Sequence, residues 1–247
     1  MKNLLIKSVI YSFFLLAIYN TPSLIAQETQ AESRKTIAIN TTHGTLVVEL
    51  YNETPLHRDN FVKRVQEKRF DSILFHRVIQ SCMIQAGESD RQNDAMNNGD
   101  TPTMIPAEFH PNLFHKKGAL AAARSDNPER ASSDRQFYIV QGKVMNDCLL
   151  THNEERINGW LAKYYMLKNS TYKPLTDSLN QAINDRNFER YQKWNDSINK
   201  LAKNFVDFDK YKIPPAHISV YKTVGCTPHL DHNYNFFVQV IKRFEGI

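Results

Sequence analysis

The segment that most restricts this chain is FHRVIQSCMIQAG, residues 75–87. Ile73, Phe75, Arg77 and Ile79 alternate with period two, and Met83 and Gln85 resume that period after a break at Gln80-Ser81-Cys82. Alternation sends successive side chains to opposite faces, so the segment reads as a strand, a short turn and a second strand. Arg77 then shares a face with large apolar neighbours. Two chemistries fit an arginine placed this way. Its stem can lie along apolar surface at a sheet edge with the head group in water. Alternatively, the guanidinium is held over an apolar groove, where its planar fork can grip a backbone carbonyl.

Two more blocks bear on the choice. Gly118-Ala119-Leu120-Ala121 runs on to Gln136-Phe137-Tyr138-Ile139, and Thr227-Pro228-His229-Leu230-Asp231 runs on to Phe237. With Phe75-His76-Arg77 and Met83-Ile84-Gln85-Ala86-Gly87, and in this order, they resemble the signature segments of the cyclophilins, the cyclosporin-binding class of peptidyl-prolyl isomerases. The resemblance covers residues 36–144 and 225–247. It implies a mainly β fold, an antiparallel β-barrel capped by helices. It also implies isomerase activity on proline-containing polypeptides, with no cofactor and no metal. By the same resemblance Arg77 is the catalytic guanidinium, and Met83, Tyr138 and Leu230 line the proline pocket. Gln85 and Gln136 hold peptide backbone, Ala123 and Arg124 sit on the groove's rim, and Tyr234 stands where the family carries His or Tyr. The chain departs from the family at Cys82 (for a pocket Phe), Arg124 (for Asn), Tyr138 (for Phe), His232 and Val238 (each for Gly). The second block, 225–247, reads as truncated, stopping before the family's closing helix and strand.

Residues 1–26 combine Lys2 and Lys7, an apolar run from Ser8 to Tyr19, a break at Thr21-Pro22-Ser23 and a small residue at Ala26. That is the pattern of a secretory signal peptide, too short in its apolar part for a span of ~20 residues. The expectation is an exported, periplasmic or secreted protein without a stable membrane span after cleavage. The net charge of +5 includes two units from this leader, and the remainder is too small and scattered to argue for nucleic-acid binding.

Thr36–Asn40 and Thr45–Tyr51 alternate about Thr42-His43-Gly44 and predict a hairpin. Thr54-Pro55 predicts a capped helix whose apolar side is Phe61, Val62 and Val65. Residues 88–111 predict a long loop, 124–134 a polar loop, and 136–140 a strand on which Gln136 and Tyr138 share one face.

Composition changes over 145–224, where β-branched alternation gives way to helical spacing. Thr151 and Glu154 form a candidate capping box, followed by Ile157, Leu161 and Tyr164. Lys173-Pro174 interrupts. Leu175, Leu179 and Ile183 mark a second helix, and Phe188, Tyr191, Trp194, Ile198, Leu201 and Phe205 a third. The expectation is an α-helical subdomain inserted into the β domain, packing on its host or on a protein partner. Cys148 and Cys226 stand at the two roots of this insertion and are a candidate disulfide. His229 and His232 are spaced for a metal, but no second cluster accompanies them, which favours a surface turn.

X-Pro rotation is opposed by amide resonance, a barrier of roughly 20 kcal/mol. It needs no nucleophile, metal or general base. It needs a dry slot for the ring and a fixed donor for the twisted bond. The residues above meet that demand for an enzyme. The rival expectation is a catalytically degenerate cyclophilin-like chaperone or peptide-binding module.

Overall fold

The computed structural model describes residues 33–88, 102–125, 127 and 129–242. The expected leader lies outside them, as do part of the long loop and the last five residues.

Seven strands form one curled antiparallel sheet, half a barrel. In chain order they are β1 (Thr36–Thr41), β2 (Gly44–Leu50), β3 (Arg77–Ile79), β4 (Met83–Gly87), β6 (Ala119–Ala122), β8 (Gln136–Val140) and β9 (Phe236–Lys242). Their spatial order is β1-β2-β9-β6-β8-β4-β3. The hairpin and the strand over 136–140 follow the alternation, because each offers one apolar face to bury. β3 is shorter than expected and begins only at Arg77. Two two-residue strands, β5 (Met104–Ile105) and β7 (Ser132–Ser133), pair inside segments read as loops.

One face of the sheet packs Val48, Leu50, Leu120, Ala122, Phe137, Ile139 and Val238 into a core closed by helix α1 (Pro55–Gln66). Phe61 of α1 meets Phe137 and Phe237 edge-on, with ring centroids 5.4 and 5.6 Å apart. Each such burial contributes roughly 1.5–3 kcal/mol. The Thr54 side chain, expected as the N-cap, makes no capping bond. Glu108 replaces it, accepting the Leu56 and His57 N–H groups at 3.0 Å each. Burial alone would raise the Glu108 pKa, but bonds from His57 and these two N–H groups hold it below the ordinary value. A carboxylate at this end also complements the positive pole of the helix.

A buried ionic knot ties α1 to the strand carrying Gln136. Asp134 accepts from Arg64, from Thr103 Oγ1 at 2.8 Å and from Arg135 Nε at 3.1 Å. Glu88 lies beside it, 2.8 Å from Arg69 Nε. Arg135 is fully buried and Asp134 nearly so.

Between β8 and β9 stand four helices: α2 (Asp147–Lys168), α3 (Lys173–Asn184), α4 (Phe188–Ala202) and α5 (Pro215–Thr223). The first three follow the periodicities above. Met166, Leu179, Ile198 and Ala202 form their common core, with Leu175, Tyr191, Trp194 and Phe205 packed around it. Phe188 and Leu201 stay exposed, so the aromatic stripe is only partly core. The expected capping box does not form. Asn146 caps α2 one turn earlier by accepting the Leu149 N–H, which places Thr151 inside the helix, donating to the Asp147 carbonyl at 3.0 Å. Glu154 instead accepts from Lys212 Nζ and the Ile213 N–H.

The expected Cys148–Cys226 disulfide is also absent, since all three cysteines are free thiols. Cys226 is buried and held by bridges to Lys116 and Lys143, whereas Cys148 is exposed on the first turn of α2. Among the described residues no helix is long and apolar enough to cross a membrane. No group of three His, Cys, Asp or Glu among them is placed to hold a metal ion.

Candidate active site

The second face of the sheet carries the candidate site, and strand register assembles it. Arg77 pairs with Gln85, Gln85 with Tyr138, and Tyr138 with Ala121. Residues paired across antiparallel strands share a face, so these four form one row across β3, β4, β8 and β6. The flanking rows add Met83 opposite Val140 and Gly87 opposite Gln136. Gly87 has φ +123°, and a Cβ there would lie 2.2 Å from the Arg135 carbonyl oxygen. Only glycine permits this close approach, which brings Gln136 alongside Gln85.

A polar relay and an apolar cluster result. Arg77 Nη1 donates to Gln85 Oε1 at 3.2 Å, and Gln85 Nε2 donates to Gln136 Oε1 at 2.7 Å. The Arg77 side chain is exposed on β3, an edge strand, and the Ile73 and Phe75 expected to share its face pack instead into the core on the other side. Beside the relay Met83, Ala123 and Tyr138 are buried together, with Cys82, Leu230 and Tyr234 half-buried against them. The Tyr138 and Tyr234 rings meet edge-on at 5.8 Å, and the Arg124 guanidinium stands 5.6 Å over the Tyr234 ring. Arg124 is fixed by donating to Asn233 Oδ1 at 2.7 Å and to the Asn127 carbonyl at 2.8 Å. Arg77, Gln85 and Gln136 thus form one relay and Met83, Ala123, Tyr138, Leu230 and Tyr234 one cluster, with Arg124 outside both, over the Tyr234 ring. The geometry offers a charged donor, two amides for peptide backbone and a greasy floor.

The family model described as "Cyclophilin type peptidyl-prolyl cis-trans isomerase/CLD" matches residues 36–160, half of the chain. The chain belongs to the cyclophilin-type peptidyl-prolyl cis-trans isomerases. It is an enzyme of that class. A peptidyl-prolyl cis-trans isomerase of Streptomyces antibioticus is 32% identical over 126 residues, 51% of this chain and 71% of that protein. Peptidyl-prolyl cis-trans isomerase B of Escherichia coli K12 is 30% identical over 125 residues, 50% of this chain and 71% of that one. Among solved structures, a cyclophilin-type isomerase of Cryptosporidium parvum aligns over 86% of this chain and 80% of its own at 16% identity, with a TM-score of 0.44.

Beneath its candidate slot this cyclophilin has a polar chain that the sequence did not disclose. Tyr138 OH lies 2.9 Å from His115 Nε2, and His115 Nδ1 lies 2.7 Å from Asp231 Oδ1. Asp231 also accepts from the Tyr221 hydroxyl of α5 and, at 2.9 Å, from the His115 N–H. Burial, then the neighbouring Tyr234 and Asp231, pushes the Tyr138 hydroxyl well above its ordinary pKa, so it stays protonated. The Cys82 thiol is likewise raised by burial, against the opposing pull of Arg77 and Arg156. A thiol held this way is poorly suited to nucleophilic chemistry.

Three histidines around the cyclophilin's site are kept neutral. Burial, with Arg156 and His115 nearby, pushes His229 down to about 4. Burial also lowers His217 and His232, in both cases against the opposing charge of Asp231. An unfolded chain protonates these rings near pH 6.5, whereas the folded chain resists until near pH 4 at His229. Between those values the unfolded state binds more protons, so stability falls as pH falls through that window. The thermal midpoint is expected several degrees lower at pH 5 than at pH 7, since 1 kcal/mol moves a domain of this size by roughly 2–4 °C. Scanning calorimetry at the two pH values, with His229→Gln reducing the difference, checks this. A midpoint unchanged by pH would contradict it.

Proposed function

We propose that this cyclophilin isomerises X-Pro bonds in exported polypeptides and so assists their folding in the periplasm or outside the cell. In this reading Arg77 stabilises the twisted imide and Met83, Tyr138 and Leu230 hold the proline ring. Gln85 and Gln136 bind the peptide backbone, and Ala123, Arg124 and Tyr234 border it. The single observation that carries the reading is the Arg77–Gln85–Gln136 relay on the same sheet face as the Met83–Tyr138 cluster. Rotation is favoured by a charged donor beside an apolar surface, and Arg77 next to the Met83–Tyr138 cluster is what supports the reading. The test is a protease-coupled isomerisation assay on a short X-Pro peptide, comparing wild type with Arg77→Ala.

Export rests on the leader pattern of Lys2, Lys7 and the apolar run from Ser8 to Tyr19. Expressed in an exporting bacterium, the protein is expected in the periplasmic or secreted fraction with a mass lacking residues 1–26. Intact mass together with a cytosolic or membrane location would overturn this part.

A second reading, a peptide-holding module without turnover, draws on how little of the slot's floor is open. Met83 is 6% exposed and Tyr138 3%. Wild-type turnover no better than that of Arg77→Ala would leave this reading in place of the first.

A further inference from the structure

Between the helices that follow β8 and the loops beside the sheet lies an open-mouthed cavity of about 330 Å³, next to the candidate slot. Arg124 and Tyr234 line it, and the same two residues border the slot, where Tyr234 packs on Tyr138. Leu161 of α2 and Ile183 of α3 supply apolar wall, and Asn195 and Asn199 of α4 supply amide groups. The volume lies near the lower end for ligand cavities, roughly 300–1,000 Å³. It is a socket for a large side chain or two, too small for a folded partner. The Asn195 oxygen already accepts from Lys163 Nζ at 2.8 Å, and Lys163 and Arg130 also line the cavity, so its wall is apolar with a polar, basic rim. Arg156 of α2 lies within electrostatic range of Cys82 and His229.

We propose that this cavity is an additional substrate subsite, contributed by the helical insertion. It takes a large aliphatic or aromatic side chain of the polypeptide flanking the X-Pro bond held in the slot. Continuity decides the occupant. A chain lying over Met83 and Tyr138 passes Tyr234 and Arg124 on its way out, and these residues open directly onto the apolar socket. The inserted helices thus make the enzyme selective for the neighbourhood of the proline as well as for the proline.

The subsite rests on the isomerase reading for its substrate, but the two fail separately. Fluorescence anisotropy would measure binding of two labelled X-Pro peptides long enough to reach the cavity, one flanked by Leu and Phe and the other by Ser. Wild type is expected to bind the apolar-flanked peptide at least about tenfold more tightly, from burial of one large side chain. Asn199→Trp, which fills the socket, and Ile183→Asp, which charges its wall, are expected to bring the ratio close to one. Asn199 is exposed and Ile183 is 50% exposed, so neither change strikes the core. Equal binding of the two peptides by wild type, or a ratio that survives both substitutions, would overturn the subsite. Wild-type turnover of a short peptide is recorded in parallel. Its absence, with the binding ratio intact, would remove the isomerase reading and leave the socket standing.

Discussion

Arg77→Ala is expected to lower kcat/KM on a short X-Pro peptide by about 100- to 1,000-fold, the loss typical of removing one preorganised donor from a transition state. The expectation follows from position. Arg77 is the charged member of a relay that continues through Gln85 to Gln136, all on the face that carries Met83 and Tyr138. Its head group is exposed and held by one hydrogen bond at 3.2 Å, so its removal takes little from the fold. Stability is expected to change by no more than about 0.5 kcal/mol. Arg77→Lys is expected to recover only part of the loss, because a point-like ammonium replaces a planar fork. The decisive measurement is turnover at matched folded fraction. An alanine variant as fast as wild type would remove Arg77 from the chemistry.

Asp134→Ala has the largest expected effect on stability, a loss of about 3–5 kcal/mol. Asp134 is 3% exposed and touches Arg64, Arg135 and Thr103 at once, while its backbone carbonyl accepts from Asn60 Nδ2 at 2.7 Å. Without its carboxylate the fully buried Arg135 loses a charged partner it cannot replace from water. A typical domain has only about 5–15 kcal/mol in reserve, so such a variant is close to unfolding. Burial alone would raise the Asp134 pKa, but bonds from Arg135 and Thr103 and the charges of Arg64 and Arg135 hold it below the ordinary value. The stabilisation is therefore present above the unfolded carboxyl's range, near pH 4, and is lost as pH falls through the lower folded value. Urea unfolding measures the loss, and Asp134→Asn, which keeps an acceptor for Thr103, is expected to lie between alanine and wild type. A loss below about 1 kcal/mol would show that the arginines find other partners.

The parts of this molecule that were legible in its sequence are those in which one residue repeats another's environment. The strand over Gln136–Val140 and the helix over Phe188–Ala202 announce themselves by period, because each buries one face. The pocket residues could be named because three ordered motifs carry them, and strand register then brings Arg77, Gln85 and Tyr138 into one row. Contacts between residues remote in the chain left no such trace. Glu108 caps α1 from 52 residues away, and His115 meets Asp231 across 116. Local signals also competed. The pair Thr151 and Glu154 read as a cap, but Asn146 starts the helix earlier. Helix α5, which begins on Pro215, spans only nine residues and went unread, and the two-residue strands β5 and β7 are too short to show any period.

The extra oxygen on Tyr138 changes what the bottom of the slot is made of. A plain phenyl ring there would be held by packing alone. This ring is tethered at its far end to His115, and from there through Asp231 to Tyr221 on helix α5. The position of that ring is therefore coupled, through two buried side chains, to where a helix outside the sheet sits.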